Sequence, residues 1–354
     1  MWETRLTHSG LGGIAANDQY VVFGDRDDDD FHDVFRCLSA ETGDTIWEVQ
    51  RLAVGELDYG NSPRSTPLIS GGLVYCQGAH GSLLCIRLLD GHVVWEKNFA
   101  DDFPIDKELP WGYCGSPLLI DQKLIVAPGA PDASLIALNA KTGNLIWKTP
   151  GAAPSYGSLT LGVLGSVKQI VGHDFDSIGG WDINTGKRLW TVKPLADGDF
   201  NVPTPIIHNG QMIVVTENNG VRKFDFNKDG RIIEEPVAIN PKLRSDMSTP
   251  VVVGNLLFCV KDFLYCLDIN DELNERWRLR DRALGDYASA IASNDRLLLV
   301  GKGELILLGT NGDKKIISRQ RVSDESQELY SHPALVGDRL FIRNESSIKC
   351  LKLR

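Results

Sequence analysis

A short phrase that joins a glycine turn to a tryptophan recurs along the chain and limits its fold more than any other feature. Four copies place a glycine four residues before a tryptophan: "SAETGDTIW", "LLDGHVVW", "NAKTGNLIW" and "DINTGKRLW", ending at Trp47, Trp95, Trp147 and Trp190. Three weaker copies, "DFNKDGRII", "DINDELNERW" and "GTNGDKKI", end at Ile233, Trp277 and Ile316. The steps between copies are 48, 52, 43, 43, 44 and 39 residues. This period is typical of a four-stranded propeller blade and is too long for ankyrin or leucine-rich repeats.

Each repeat divides into four short segments that are typical of strands. In the third repeat, "GSPLLI", "LIVAPG", "ASLIALNA" and "NLIWKT" predict strands A to D, because β-branched or alternating runs are broken by turn residues. Strand A also carries a proline near its start, as in "STPLI", "PTPII" and "STPVVV". Proline lacks the N–H that a sheet needs, so it belongs at the beginning of a strand. Helical periodicity is absent over long stretches, and few helices are expected.

Counting the starts of strand A predicts eight blades. The starts lie near Gly12, Ser65, Ser116, Ser158, Pro203, Thr249, Ser289 and His332. The eighth repeat ends with "IKCLKLR" as strand C, and "WETRL", which is similar to "WEVQRL" of the first repeat, would supply its strand D. The sequence therefore predicts one all-β domain over residues 1–354. This domain is an eight-bladed propeller of four-stranded antiparallel blades, closed by pairing of Trp2–Leu6 with the C-terminal strand, which removes the free sheet edges.

The glycine–tryptophan phrase resembles the tryptophan-docking repeat of the PQQ-dependent (quinoprotein) alcohol dehydrogenases and of their compact non-enzymatic relatives, many of which are exported. The resemblance covers the whole chain and is clearest in the first four repeats. It implies that one tryptophan per blade docks against the neighbouring blade, a role that falls to Trp2, Trp47, Trp95, Trp147, Trp190 and Trp277. Ile233 and Ile316 stand at the same position, which implies weaker docking there.

The resemblance leaves more than one function open. The propeller enzymes carry adjacent cysteines near the quinone and long insertions, whereas this chain has no Cys-Cys pair and nearly minimal repeats. We therefore expect a non-enzymatic binding propeller. The alternative is a PQQ-dependent oxidoreductase acting on alcohols or sugars, with PQQ stacked on Trp111 and Ca²⁺ held by carboxylates, as the resemblance would imply. A third hypothesis is a hydrolase or lyase that uses a His–Asp pair, and the residues themselves establish no cofactor.

Candidate binding residues collect on one predicted face of the propeller. The D–A and B–C loops share this top face, and they carry polar and aromatic side chains at the mouth of the central channel. Such a mouth is suited to a small molecule, a glycan or a protein segment. The candidates are Arg64, His80, Trp111, Tyr113, Tyr156, His173, Asp174, Asn201, Glu217, Asn218, Asp246, Asp286, Tyr287 and His332.

Two acidic patterns are candidates for metal binding or proton transfer. The segment "DRDDDDFHD" could hold Ca²⁺ through Asp25, Asp27 and Asp29, although a run of charges is more often a solvated loop. Asp174 stands beside His173 and could serve as a metal ligand or a base. Neither pattern supplies a complete set of ligands in sequence.

Composition excludes several classes of partner. The net charge is −10, and the acidic segment contributes half of it, so no basic face for nucleic acid is expected. The lack of a long apolar run argues against membrane insertion. Seven cysteines without a CxxC motif indicate buried thiols, with a Cys76–Cys85 or Cys259–Cys266 disulfide left open. We expect a monomer, exported to the periplasm if a leader precedes this sequence and cytoplasmic if Met1 is the native start.

Overall fold

The computed structural model describes residues 1–311, 314–323 and 329–353. It is an all-β propeller of eight blades, and each blade is a four-stranded antiparallel sheet whose strands follow one another along the chain, except where the termini meet. Within the described residues there is one helix, the four-residue α1 (Phe99–Asp102), and no helix there is long and apolar enough to cross a membrane. The predicted turn at Gly312 and Asp313 lies outside the described residues.

Contacts divide the chain into two compact units, each of which holds four blades. The first unit comprises Met1–Tyr156 and Tyr330–Arg354, and the second comprises Gly157–Leu329. In the first unit, blade 1 is β2 (Ala15–Ala16), β3 (Tyr20–Arg26), β4 (His32–Ser39) and β5 (Thr45–Leu52); blade 2 is β6 (Leu68–Ser70), β7 (Leu73–Gln77), β8 (Ser82–Arg87) and β9 (Val93–Asn98); blade 3 is β10 (Leu118–Ile120), β11 (Lys123–Val126), β12 (Leu135–Asn139) and β13 (Leu145–Thr149); blade 8 is β30 (Ala334–Val336), β31 (Arg339–Arg343), β32 (Ser347–Lys352) and β1 (Trp2–Arg5).

The second unit holds blades 4 to 7. Blade 4 is β14 (Thr160–Leu164), β15 (Val167–His173), β16 (Ile178–Asp182) and β17 (Arg188–Val192); blade 5 is β18 (Ile206–His208), β19 (Gln211–Thr216), β20 (Gly220–Phe224) and β21 (Ala238–Asn240); blade 6 is β22 (Val251–Val253), β23 (Leu256–Lys261), β24 (Phe263–Asp268) and β25 (Asn274–Leu279); blade 7 is β26 (Ser289–Ala292), β27 (Arg296–Val300), β28 (Glu304–Gly309) and β29 (Ile316–Arg321). The innermost strands begin within a few residues of the predicted starts.

The predicted closure of blade 8 by the N-terminal strand is confirmed. Strand β1 pairs antiparallel with β32, with Trp2 opposite Cys350 and Arg5 opposite Ser347. The Ser347 hydroxyl donates to Glu3 at 2.7 Å, and Lys349 lies 3.3 Å from the same carboxylate. The Glu3 carboxylate therefore adds side-chain contacts to the backbone pairing of β1 with β32.

The recurring glycine and tryptophan are explained by close packing between successive blades. Gly43, at φ +78°, lies under the indole of Trp2, and a Cβ there would come within 2.5 Å of that ring. Gly91 stands under Trp47 in the same way. A residue with a side chain could adopt neither this approach nor this backbone angle without strain. The glycine turn of one blade and the tryptophan of the preceding blade therefore pack directly against each other.

In the first unit this contact includes a repeated hydrogen bond. The indole N–H donates to a backbone carbonyl in the turn of the next blade, from Trp2 to Ala40 at 3.1 Å and from Trp47 to Leu88 at 2.8 Å. Trp95 donates to Ala140 at 3.0 Å. Trp147 is also buried. The predicted docking role of Trp2, Trp47 and Trp95 therefore has a defined geometry.

In the second unit Trp190 and Trp277 also pack against the next blade, but the hydrogen bond of Trp190 differs. The indole of Trp190 donates to the side chain of Gln169 in its own blade at 2.6 Å, and Gln169 donates in turn to the carbonyl of Gly230 at 3.0 Å. The outer strand of blade 5 begins at Ala238, not near Ile233, whose side chain is 48% exposed. A long loop with a Phe226–Ile232 bridge takes up the intervening residues. The expectation that Ile233 occupies a docking strand is therefore wrong.

All seven cysteines carry free thiols, so neither disulfide left open by the sequence is formed. Cys76 lies opposite Leu84, and Cys85 lies opposite Tyr75 in the same blade. Burial raises the pKa of the Cys37 and Cys85 thiols to about 12, which makes them unreactive at neutral pH.

Candidate functional site

The segments that precede β6, β10 and β14 bring three aromatic rings and an arginine of the first unit together. The ring centroids of Trp111 and Tyr156 are 4.5 Å apart, and those of Tyr59 and Trp111 are 6.4 Å apart. Tyr59 is 78% exposed, whereas Tyr156 is buried behind Trp111. Arg64 lies in the loop between Tyr59 and β6. We call Tyr59, Arg64, Trp111 and Tyr156 the aromatic surface.

Local backbone geometry fixes the positions of Tyr59 and Trp111. Tyr59 has φ +66°, an angle that is uncommon outside glycine, and Gly60 follows at φ +89°. The loop is joined to the next one by the N–H of Asp58, which donates to the carbonyl of Pro110 at 2.8 Å. Gly112, directly after Trp111, leaves no room for a side chain, since a Cβ would lie 2.3 Å from the Ala79 oxygen.

Arg64 is held by backbone oxygens and not by a carboxylate. Its Nη2 donates to the carbonyls of Asp58 and Gly60, the latter at 2.8 Å. Its buried Nε has no hydrogen-bond partner among the described residues. Burial lowers the pKa of Arg64 and raises that of the nearby Cys114 thiol to about 12. The guanidinium therefore keeps its charge beside the rings while part of its donor capacity remains unused.

The predicted calcium ligands do not converge on one point. Both oxygens of Asp25 accept backbone N–H groups, from Thr7 at 3.1 Å and His8 at 3.2 Å. Asp27 accepts from the N–H and the ring of His32, and Asp29 is exposed. Within the described residues, no group of three or more His, Cys, Asp or Glu side chains is arranged to hold a metal ion. The acidic segment comprises the end of β3, a turn and the start of β4, and Asp25 and Asp27 accept hydrogen bonds from other residues of the protein.

A buried ion pair lies below the same loop. Arg26 and Asp33 are both fully buried, and Arg26 Nη1 donates to Asp33 at 3.0 Å and Nε to Asp30 at 2.6 Å. Burial raises the pKa of Asp33 to about 6, against the effect of Arg26. His80 is half-buried nearby, and burial together with the positive charge of Arg26 lowers its pKa. His80 is therefore neutral at pH 7.

Other predicted residues of the first unit serve the packing of loops. Tyr113 is buried, packs edge-on against Phe99 and donates its hydroxyl hydrogen to the carbonyl of Pro128 at 3.2 Å. His332 lies at the start of blade 8, where its Nδ1 is 3.2 Å from the Pro333 oxygen.

In the second unit, Asp174 is engaged by groups other than His173. It accepts hydrogen bonds from Ser177, at 2.8 Å, and from Arg188. Asn201 is buried and donates to the carbonyls of Asp174 and Phe175. Burial lowers the pKa of His173 to about 4, and Arg222 shifts it in the same direction. The Asp174 carboxylate is therefore engaged by Ser177 and Arg188.

Of the remaining candidates, Asp246 and Asp286 flank one lysine, and the others make separate hydrogen bonds. Lys261 lies 3.2 Å from Asp246 and 3.2 Å from Asp286. Burial raises the pKa of Glu217, whose carboxylate accepts the Phe200 N–H at 3.1 Å. The Asn218 N–H donates to Asp199. Tyr287 shares a hydrogen bond with Ser289 at 2.8 Å.

Sequence reasoning missed the partners that immobilise these candidates. Arg26, Ser177 and Arg188 were not selected, because each stands alone in the sequence. Arg188 lies two residues before the docking tryptophan of its repeat, and only the three-dimensional pairing shows that it reaches Asp174.

The family profile and the related sequences that match this chain carry the same family description. The profile of the family described as outer membrane protein assembly factor BamB matches residues 1–107 and 131–353. The BamB proteins of Yersinia pestis and Burkholderia pseudomallei (strain K96243) are 23% identical over 194 residues and 24% identical over 244 residues. These matches cover 53% and 54% of this chain, but 44% and 60% of the relatives. The chain thus covers less than two thirds of either relative.

A solved structure with low sequence identity has the same fold. The Chaetomium thermophilum protein Sqt1, solved bound to the N-terminus of ribosomal protein L10, aligns with a TM-score of 0.69. The alignment covers 98% of this chain and 97% of that one at 10% identity, so it supports the fold alone.

Proposed function

The chain belongs to the family described as outer membrane protein assembly factor BamB, and on this premise we propose that it is a non-enzymatic propeller that binds a protein segment. The curated relatives are named as assembly factors, and an assembly factor acts by binding other proteins. We extend the proposal to the compartment: the protein works in the periplasm, next to the outer membrane.

The aromatic surface is the observation that carries this proposal. Tryptophan, tyrosine and arginine are the residues that most often dominate the binding energy of protein interfaces. Tyr59 projects into solvent in a fixed loop conformation, and little conformational entropy would be lost when a partner covers it. Arg64 offers a charged donor at the edge of the rings.

Exposed apolar side chains enlarge this surface. Phe31 is 53% exposed, Leu52 69% and Val54 61%, and the Ala53 N–H donates to the Phe31 carbonyl at 2.9 Å. Asn61 donates to Asp30 at 2.7 Å, which ties this loop to the one that carries Tyr59. Clustered apolar groups on a water-exposed face are typical of protein interaction sites. This feature favours a protein segment over a glycan or a small polar ligand.

Site-specific crosslinking in the source cells tests the proposal. A photoreactive phenylalanine analogue at Tyr59 should crosslink to a protein of the outer membrane assembly apparatus, identified by mass spectrometry. The same analogue at Leu89, an equally exposed residue in a turn of blade 2, should not. Equal crosslinking at both positions, or none at Tyr59, would contradict the proposal.

Among the described residues, the acidic side chains are not grouped as the oxidoreductase alternative would require. A Ca²⁺-dependent quinone site requires a converging set of oxygen ligands, and no such group of acidic side chains occurs among the described residues. One face of Trp111 is already in contact with Tyr156. Incubation with PQQ and Ca²⁺ should therefore give no saturable change in absorption and no dye reduction with alcohols or sugars. Saturable binding with turnover would overturn the proposed function.

A further inference from the structure

Arginine occurs at alternate positions along the outer strand of blade 6. The segment "RWRLRDR" places Arg278 and Arg280 on one side of β25 and its extension, since alternate residues of a strand share a face, and Arg276 lies at a bulge in the pairing with β24. The intervening Trp277 and Leu279 pack against the core shared with blade 7. The arginines therefore lie on the opposite face, in a chain whose net charge is −10.

Two of these arginines lie over the same aromatic ring. The guanidinium carbons of Arg278 and Arg280 are 5.1 Å and 6.0 Å from the centroid of Phe263. Phe263 itself packs against the core shared by blades 5 and 6. A guanidinium that stacks on a ring keeps its in-plane N–H donors available for a carboxylate.

The neighbouring arginines are hydrogen-bonded to carboxylates, whereas among the described residues Arg278 and Arg280 are not. Arg276 donates to Asp268 at 2.9 Å. Arg282 and Arg319 pair with Glu304, and Arg319 also pairs with Asp281. Among the described residues Arg280 has no carboxylate partner, and the contact of Arg278 with Glu275, at 3.6 Å, is longer than a hydrogen bond.

A groove lies beside the stacked pair. Its volume is ≈ 670 Å³, and it is lined by Asp262, Phe263, Arg280, Asp281, Arg282 and Leu284. Because Asp281 and Arg282 are already paired, the groove offers a ligand the Arg280 guanidinium, the Asp262 carboxylate and the apolar surface of Phe263 and Leu284. This volume is within the usual range of ligand pockets, about 300–1,000 Å³.

We infer that this arginine groove, with Arg278 and Arg280 above Phe263, binds an extended acidic protein segment. Acidic residues at alternate positions of an extended chain lie about 6.5–7 Å apart, which is the spacing of Arg278 and Arg280 along β25. Asp262 can accept a backbone N–H of the same segment. Strand β25 ends its sheet, so one of its edges makes no pairing within that sheet. The inference concerns the second unit alone and does not depend on the aromatic surface.

Fluorescence anisotropy with a labelled ten-residue peptide tests the inference. The peptide carries glutamate at every second position and valine between, and a matched peptide carries glutamine instead. The full chain should bind the glutamate peptide about tenfold or more tightly than the glutamine peptide, because charge-assisted pairs are lost in the latter. Raising the salt concentration should weaken the binding.

Two double variants separate the groove from general electrostatics. R278Q/R280Q should weaken glutamate-peptide binding about tenfold or more. R231Q/R296Q removes the same charge from two exposed positions of the second unit and should leave the affinity unchanged. Thermal unfolding checks that both variants fold, and F263L, which keeps the charges but removes the ring, should show an intermediate loss. Undiminished binding by R278Q/R280Q, no binding by the wild type, or binding only to phosphatidylglycerol vesicles would overturn the inference.

Discussion

In the first unit, Trp2, Trp47 and Trp95 donate their indole N–H to the same carbonyl position of the following blade, whereas the second unit satisfies that position by other means. In blade 5 the docking residue is missing, and Lys223 donates to the carbonyl of Ile269 at 2.7 Å. Ile269 in blade 6 corresponds to Leu88 in blade 2, the residue whose carbonyl accepts the indole N–H of Trp47.

The tryptophan of the repeated phrase meets two structural requirements, and the second unit shows that they can be met separately. A buried carbonyl needs a donor, since an unsatisfied one costs free energy, and an indole, an ammonium or an amide can supply it. The gap between blades also needs apolar volume, which an indole fills and a lysine fills only with its stem. Blade 4 shows an intermediate solution, because Gln169 stands between the Trp190 indole and the carbonyl of Gly230.

The first unit should depend most strongly on its terminal strand. Deleting residues 1–6 removes the pairing of β1 with β32 together with the Trp2 contact and leaves β32 as an exposed edge. We expect loss of the soluble monomer, measured by size-exclusion chromatography and thermal unfolding. Removing Met1 alone, whose side chain is 88% exposed, should have no effect. Unchanged stability after the longer deletion would contradict the assigned closure.

Truncation of the last residue of the repeated phrase should affect the two units unequally. Trp47→Ala should lower the free energy of unfolding by about 3–5 kcal/mol, because it leaves a cavity and an unpaired carbonyl at Leu88. Ile233→Ala should cost less than about 0.5 kcal/mol, because that side chain is half-exposed. Urea unfolding measures both, and equal losses would contradict the comparison.

Acid should weaken the second unit through His173. Burial lowers its folded-state pKa to about 4, below the usual 6.5, so its contribution to stability is present above pH 6.5 and is lost as the pH falls towards 4. His173→Gln should remove about 2–3 kcal/mol of this loss, measured by urea unfolding between pH 7 and pH 4.5. An unaltered pH dependence would contradict the burial of a neutral imidazole.

The first unit contains a group with the opposite dependence. Burial raises the folded-state pKa of Asp33 to about 6, so its contribution is present below about pH 4 and is lost as the pH rises through 6. Asp33→Asn should therefore remove a fall in stability between about pH 4 and pH 6. His173→Gln, measured in parallel, should remove a rise in stability over nearly the same range.

The smallest expected effect concerns the lysine that replaces an indole. Lys223→Met keeps the apolar stem but removes the donor to Ile269, and should cost about 1–2 kcal/mol in urea unfolding. Lys168→Met, an exposed lysine in blade 4, is the control and should be neutral. Equal effects would show that the hydrogen bond contributes nothing.

The sequence predicted the architecture because its strongest signals are local. The eight strand A starts, the pairing of Trp2 with the last strand and the docking of Trp47 and Trp95 all follow from one aligned phrase. Blade 5 was misplaced because "DFNKDGRII" keeps the turn residues of the repeat but not its tryptophan, and the outer strand forms five residues after Ile233. No local pattern marks the amide of Gln169 as the acceptor for Trp190.

The candidate site was less predictable than the fold. Trp111 and Tyr156 were recognised by their place before strand A, and the structure brings them into contact. Asp25 and Asp174, by contrast, were selected for their charge, and both are occupied by hydrogen bonds from distant segments. Such pairings depend on the packing of loops, which short motifs do not encode. The single-domain organisation stays a prediction, since the contacts group the blades into two units.

The pairing of Trp2 with Cys350 also sets the order of events during biosynthesis. Strand β1 is synthesised before its partner β32, with the strands of the other seven blades between them. Blade 8 is therefore completed only after translation of β32, and contacts between such distant segments form slowly. Until then Trp2 and the backbone edge of β1 are open to chaperones and proteases, so a factor that recognises this segment could distinguish nascent chains from finished ones.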